Sequence, residues 1–76
     1  MATAMHESCV TEIGAAAGRV WHLLDVKGPQ TITKLVKELD DVSRDVVMQG
    51  LGWLAREDKL EIEGEGRTRT VSLKAN

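Results

Sequence analysis

The segment SRDVVMQGLGWLAREDKLEIEGEGRTRTVSL, Ser43 to Leu73, changes its hydrophobic period partway along. Val47, Gly50, Leu51 and Leu54 recur at helical spacing, whereas from Leu60 onward the apolar residues fall on alternate positions, as in a strand. A helix that leads directly into a β-hairpin accommodates that switch. Ser43 is a good N-cap, so the helix is expected over about Arg44 to Asp58. Its inward stripe is Val47, Gly50, Leu51 and Leu54; Asp45, Gln49, Gly52 and Arg56 lie opposite, and Met48 and Trp53 flank the boundary. In the hairpin, Leu60 and Ile62 should face the core together with Val71 and Leu73. Directly opposed residues share a face, so the loop must hold an even number of residues: Glu65-Gly66, or Gly64 to Arg67. The four-residue loop is favoured, because Gly64 and Gly66 supply the positive φ angles of a tight turn and Glu is a poor occupant of one.

Upstream, Glu7 to the Gly28-Pro29 pair reads as one long helix. Val10, Ile13, Ala17, Val20, Trp21 and Leu24 share a face, widened by Ala16 and Leu23, while Thr11, Ala15, Arg19 and His22 point away. Glu7 and Glu12 lie towards its positive end, and Gly28-Pro29 stops it. QTIT, residues 30–33, is too short to stand alone as a strand but can add an edge to the C-terminal hairpin. Thr33 is the expected N-cap of a second helix, KLVKEL, with Leu35, Val36 and Leu39 inward. Asp40 and Asp41 then form a turn.

The order is helix, short strand, helix, turn, helix, strand, loop, strand. Two short helices joined by a tight turn and followed by a hairpin specify an α+β winged helix-turn-helix: three helices, a C-terminal β-hairpin wing and a short third strand. Short connections throughout agree with a compact domain. The 76 residues suffice for one such domain, with roughly 60% of the unfolded surface buried and hence a thin core. Residues 1–6 and 75–76 are expected to be flexible.

Three stretches carry a resemblance: EIGAAAGRVWHLL (Glu12 to Leu24), TITKLVKEL (Thr31 to Leu39) and above all GWLAREDKLEIE (Gly52 to Glu63). In them the chain resembles a small uncharacterised prokaryotic family of stand-alone winged helix-turn-helix proteins, over nearly its whole length, with GWLARED the most specific string. The resemblance implies the fold and brings no established activity.

Chemistry-bearing constellations are scarce. Cys9 is the single cysteine, so neither an internal disulfide nor a cysteine-based zinc site can form, which agrees with a reducing cytoplasm. It is expected to be a small buried hydrophobe. His6 and His22 have no cysteine or carboxylate at ligand spacing; Asp25, three residues after His22, is an ordinary helical neighbour. No glycine loop precedes a helix to cradle phosphate. MATAMHES lacks the basic and apolar regions of a signal peptide, and no run approaches the ~18 apolar residues of a membrane span. The expectation is a non-catalytic domain with no metal, cofactor, small-molecule substrate or membrane partner.

Two partner readings stay open, with DNA narrowly first. As a double-stranded DNA reader, the domain would use Arg44, Gln49 and Arg56 of the third helix, Lys34 and Lys37 of the second, and Arg67 and Arg69 of the wing. Against this stand ten basic residues to twelve acidic, a net charge of −2, with Asp40, Asp41 and Asp45 at the turn and Glu61, Glu63 and Glu65 beside the wing arginines. Those wing charges are expected to pair across the hairpin. The other reading is a protein-interaction or homodimer module whose surface includes Met48, Gly52 and Trp53. Glycines within helices need a reason, since each costs ~1 kcal/mol relative to alanine. Close helix packing is the expected reason at Gly14 and Gly50; Gly14 and Gly18, four apart, also match a pairing motif between chains.

Overall fold

A computed structural model describes residues 2–74, with side chains described for residues 9–66 and 68–74. The elements are α1 (Ala2–Lys27), β1 (Gln30–Thr31), α2 (Ile32–Glu38), α3 (Arg44–Arg56), β2 (Leu60–Glu63) and β3 (Thr70–Leu73), with a 3-10 turn at Gly66–Thr68. The strands form one antiparallel sheet in the order β1-β3-β2, so the last strand to be made is the central one. This is the three-helix, three-strand arrangement expected, with the third strand at the edge.

The core follows from the periodicities. Ala16, Ala17, Val20 and Leu24 of α1, Ile32 and Leu35 of α2 with Leu39 beyond it, and Val47, Leu51 and Leu54 of α3 are buried, closed by Leu60 and Val71 of the sheet. Leu23, Val36, Met48 and Leu73 pack partly buried against them. α1 begins at Ala2, ahead of the expected Glu7, so its first turn carries no acid. It ends as expected: Gly28 takes a φ of +79° and its amide donates to the Leu24 carbonyl at 2.8 Å.

At several positions the expectation and the structure part. Val10 and Trp21, placed inward by spacing, are 39% and 40% exposed. Val10 lies more than a turn before Ala16, the first buried residue among the described side chains of α1, and Trp21 sits at the stripe's edge. Cys9 is exposed rather than buried. The α2 cap is Thr31, not Thr33: its Oγ1 accepts from the Lys34 amide at 3.1 Å, and starting the helix at Ile32 buries that side chain. α3 stops at Arg56 rather than Asp58. Its Ser43 cap is as expected, with Oγ accepting from the Val46 amide at 3.2 Å, and its buried set is the expected Val47, Gly50, Leu51 and Leu54.

The wing pairs Glu63 with Thr70, Ile62 with Val71 and Leu60 with Leu73. The loop is therefore residues 64–69: even-numbered, as the shared face demands, but six residues long rather than two or four. The extra residues form the 3-10 turn, held by Thr68 Oγ1 donating to the Glu65 carbonyl at 2.9 Å and Arg69 Nε donating to the Gly66 carbonyl at 2.8 Å. Gly64 and Gly66 take positive φ, as expected. Val71, on the central strand, is fully buried, but Ile62, expected inward, is 39% exposed although it lies directly opposite, because β2 is an edge strand of the sheet. The Ile32 amide donates to the Arg69 carbonyl at 3.0 Å, which ties the start of α2 to the wing.

Gly50 earns its place by close approach: a Cβ there would lie 3.0 Å from the Ala17 amide nitrogen and 3.3 Å from the Ala16 carbonyl carbon. Gly14 does not. A Cβ built on it, or on Gly18, meets nothing within 4 Å, so close packing inside this domain is not the reason for glycine at Gly14.

Candidate nucleic-acid interface

Helix geometry sets α3 with its Val47–Leu54 stripe against α1 and leaves Arg44, Asp45, Gln49, Gly52 and Arg56 exposed. Gln49, Gly52 and Arg56 recur three and four apart, so they share the outer face. Asp45 lies in the first turn of α3, where its carboxylate is favoured by the helix dipole. On α2, Lys34 and Lys37 are exposed and border a shallow cleft of about 590 Å³ together with Thr31, Thr33, Glu38 and Asp40. Arg69 is half-buried at the end of the wing loop, just before β3, its guanidinium turned onto the Gly66 carbonyl. The side chains of Arg67 and His6 lie outside the described residues. The structure thus places Lys34, Lys37 and Arg44 near the turn between α2 and α3, strings Gln49 and Arg56 along α3 away from that turn, and sets Arg69 beside the start of α2.

The cations divide into two populations. Arg19 bonds Asp41 at 2.6 Å, Lys27 meets Glu38 at 3.2 Å, Lys59 meets Glu57 at 3.7 Å and Lys74 meets Asp58 at 2.5 Å. Among the described residues, Lys34, Lys37, Arg44, Arg56 and Arg69 enter no ion pair. The expected pairing of wing charges does not involve Arg69, which serves the loop backbone instead; Lys74 and Asp58 pair across the foot of the hairpin, and the side chain of Arg67 lies outside the described residues. Nor is Asp41 free in the turn between α2 and α3. The Arg19 guanidinium hydrogen-bonds its carboxylate, which holds the Asp41 pKa below the ordinary carboxylate range and raises that of Arg19. Lys74 is likewise raised, chiefly by its hydrogen bond to Asp58. Asp40, Asp45, Glu61, Glu63 and Glu65 remain exposed acids.

The three residues offered for a protein interface do not form one patch. Met48 is partly buried against the core, with exposed Gly52 on the same flank. Trp53 points to the other flank, where with Trp21 it lines a cleft of about 300 Å³ over Gly14 and Gly18. Sequence reasoning assigned Trp21 to the core and missed this pairing; the available signal was that both tryptophans sit at the edges of their helical stripes. Among the described residues no group of three or more His, Cys, Asp or Glu side chains gathers to hold a metal, and no helix is long and apolar enough to cross a membrane.

This architecture, with its helix-turn-helix pair, edge strand and wing, defines the class of winged helix-turn-helix domains. Residues 5–73 match the winged helix-turn-helix domain family DUF2582, and the chain belongs to that family. It is similar to the uncharacterized protein MJ1608 of the archaeon Methanocaldococcus jannaschii, with 32% identity over 65 residues that cover 83% of this chain and 91% of the relative.

Proposed function

We propose that this domain is a non-catalytic DNA-binding module that grips duplex phosphates with α2, α3 and the wing loop. The observation that carries the reading is the segregation of charge. The four ion-paired cations, Arg19, Lys27, Lys59 and Lys74, belong to α1 or to the segments flanking the hairpin strands. The five described cations outside ion pairs all belong to α2, α3 or the wing, the elements a winged helix-turn-helix lays on DNA. An ammonium held by a carboxylate has little attraction left for phosphate, whereas an exposed unpaired one releases counterions when it meets one. Local charge thus offsets the net −2. Gln49, on the outer face of α3, has the donor and acceptor needed to read adenine. Arg67 would add a further cation from the wing.

The test is fluorescence anisotropy with a random duplex at micromolar protein and ~50 mM salt. Five phosphate contacts would give a slope of log K against log[salt] of about −4.5. Lys37→Glu with Arg44→Glu should abolish binding, while Lys59→Gln, at a cation already paired, should leave it unchanged. No binding at ~50 mM salt, or equal losses from both variants, would overturn the reading.

A further inference from the structure

The two aromatic side chains of this protein, Trp21 and Trp53, are 40% and 38% exposed and border the same cleft. Tryptophan is costly to leave in water and is enriched where proteins meet. The floor of the cleft is Gly14 and Gly18, whose missing side chains leave open space, so glycine there weakens the helix without serving any contact inside the domain. Val10 shares the same flank of α1, four residues before Gly14, and is 39% exposed.

We propose that this face binds a second copy of the chain across a two-fold axis. The choice of occupant rests on charge and shape. Around Trp21 the rim carries two carboxylates, Glu57 and Asp58, and two ammoniums, Lys59 and Lys74, paired with one another and all exposed. A two-fold axis sets each rim against its own copy, and equal numbers of opposite sign meet without net repulsion and with partners to exchange. The unpaired Arg56 beside Trp53 adds a single positive charge, too little to hold a polyanion such as nucleic acid or to present a strong field to a charged foreign protein. The α2–α3 face, with its unpaired cations, would repel a second copy of itself. The patch also holds both halves of an isologous contact: a projecting indole, and a glycine-floored hollow of about 300 Å³ to receive its symmetry mate. A stable pair must cover about 800 Å² per partner. α1, 26 residues long at a rise of about 1.5 Å per residue, is long enough to lie along its mate and supply the rest.

Sedimentation equilibrium tests this without DNA, so its outcome is separate from that of the duplex assay. Between about 5 μM and about 1 mM the weight-average mass should rise from 8.3 kDa towards twice that value, with a blue shift of tryptophan emission. Gly18→Glu fills the hollow where an added Cβ meets nothing, so the fold should persist with unchanged circular dichroism and, at low concentration, a thermal midpoint no lower than that of the wild type, while dimerisation weakens at least tenfold. Trp53→Ala should weaken it similarly. A mass fixed at 8.3 kDa would overturn the proposal and leave the cleft to a foreign occupant. Dimers that survive Gly18→Glu would overturn the assigned surface.

Discussion

Where α3 meets α1, Gly50 brings two backbones so close that a Cβ would stand 3.0 Å from the Ala17 nitrogen; at the wing, Ile62 lies opposite Val71 in the ladder and is still 39% exposed. The first contact is backbone against backbone, between helices that each bury a stripe. The second is a thin flap in which one residue of an opposed pair is fully buried and the other is not. The comparison separates a region that tolerates no added volume from one that tolerates loss of volume wherever its side chains stay clear of the core, as Ile62 does and Leu60 and Val71 do not. A chain with so small a core places its tightest packing where two long elements can share it.

The sharpest way to break that contrast is Gly50→Val. Neither helix backbone can withdraw without dragging its stripe, so overpacking should cost about 3 kcal/mol in chemical denaturation. A wild-type midpoint would show that the helices slide apart freely. Gly18→Ala is the counterpart on open helix surface and should stabilise by up to about 1 kcal/mol, because it gains helix propensity and displaces nothing. Within the wing, Val71→Ala should cost about 2 kcal/mol and Ile62→Ala well under 1 kcal/mol, measured in the same way. Equal costs would mean that the hairpin packs as one sheet-wide face.

The smallest effect concerns pH. The Asp41 pKa is lowered in the folded state, so the Arg19 contact contributes stability above the ordinary carboxylate value and loses it as the pH falls through the lowered one. Asp41→Asn should therefore flatten the acid limb of the midpoint–pH curve below about pH 4 and have little effect at neutrality. An unchanged acid limb would place the sensitivity in other carboxylates.

The parts of the fold legible in the sequence are those set by local spacing. Val47, Gly50, Leu51 and Leu54 form a stripe whatever packs on it, Ser43 caps α3 by a bond three residues long, and alternation fixes the even parity of the wing loop. What spacing does not carry is the extent of the neighbour. Val10 and Trp21 have inward phase, but the partner surface ends before one and beside the other. Thr31 and Thr33 are equal as caps in sequence; burial of Ile32 and its hydrogen bond to Arg69, far along the chain, decide between them. The six-residue loop depends on bonds from Thr68 and Arg69 to the loop's own backbone, which glycine placement does not reveal. For the candidate interface, the residue types were legible and the pairing was not. Arg19 finds Asp41 and Lys74 finds Asp58 across 22 and 16 residues, so which cations remain available to phosphate is a property of the folded chain.

Among the described strands β3 alone touches both others, and it follows them in the chain. β1 and β2 are thus strangers introduced by a third party: an event that detaches Thr70 to Leu73 unbuttons the edge at Gln30 and the wing at Leu60 together. The amides of those distant segments should exchange with solvent at a common rate, as a single latch rather than two.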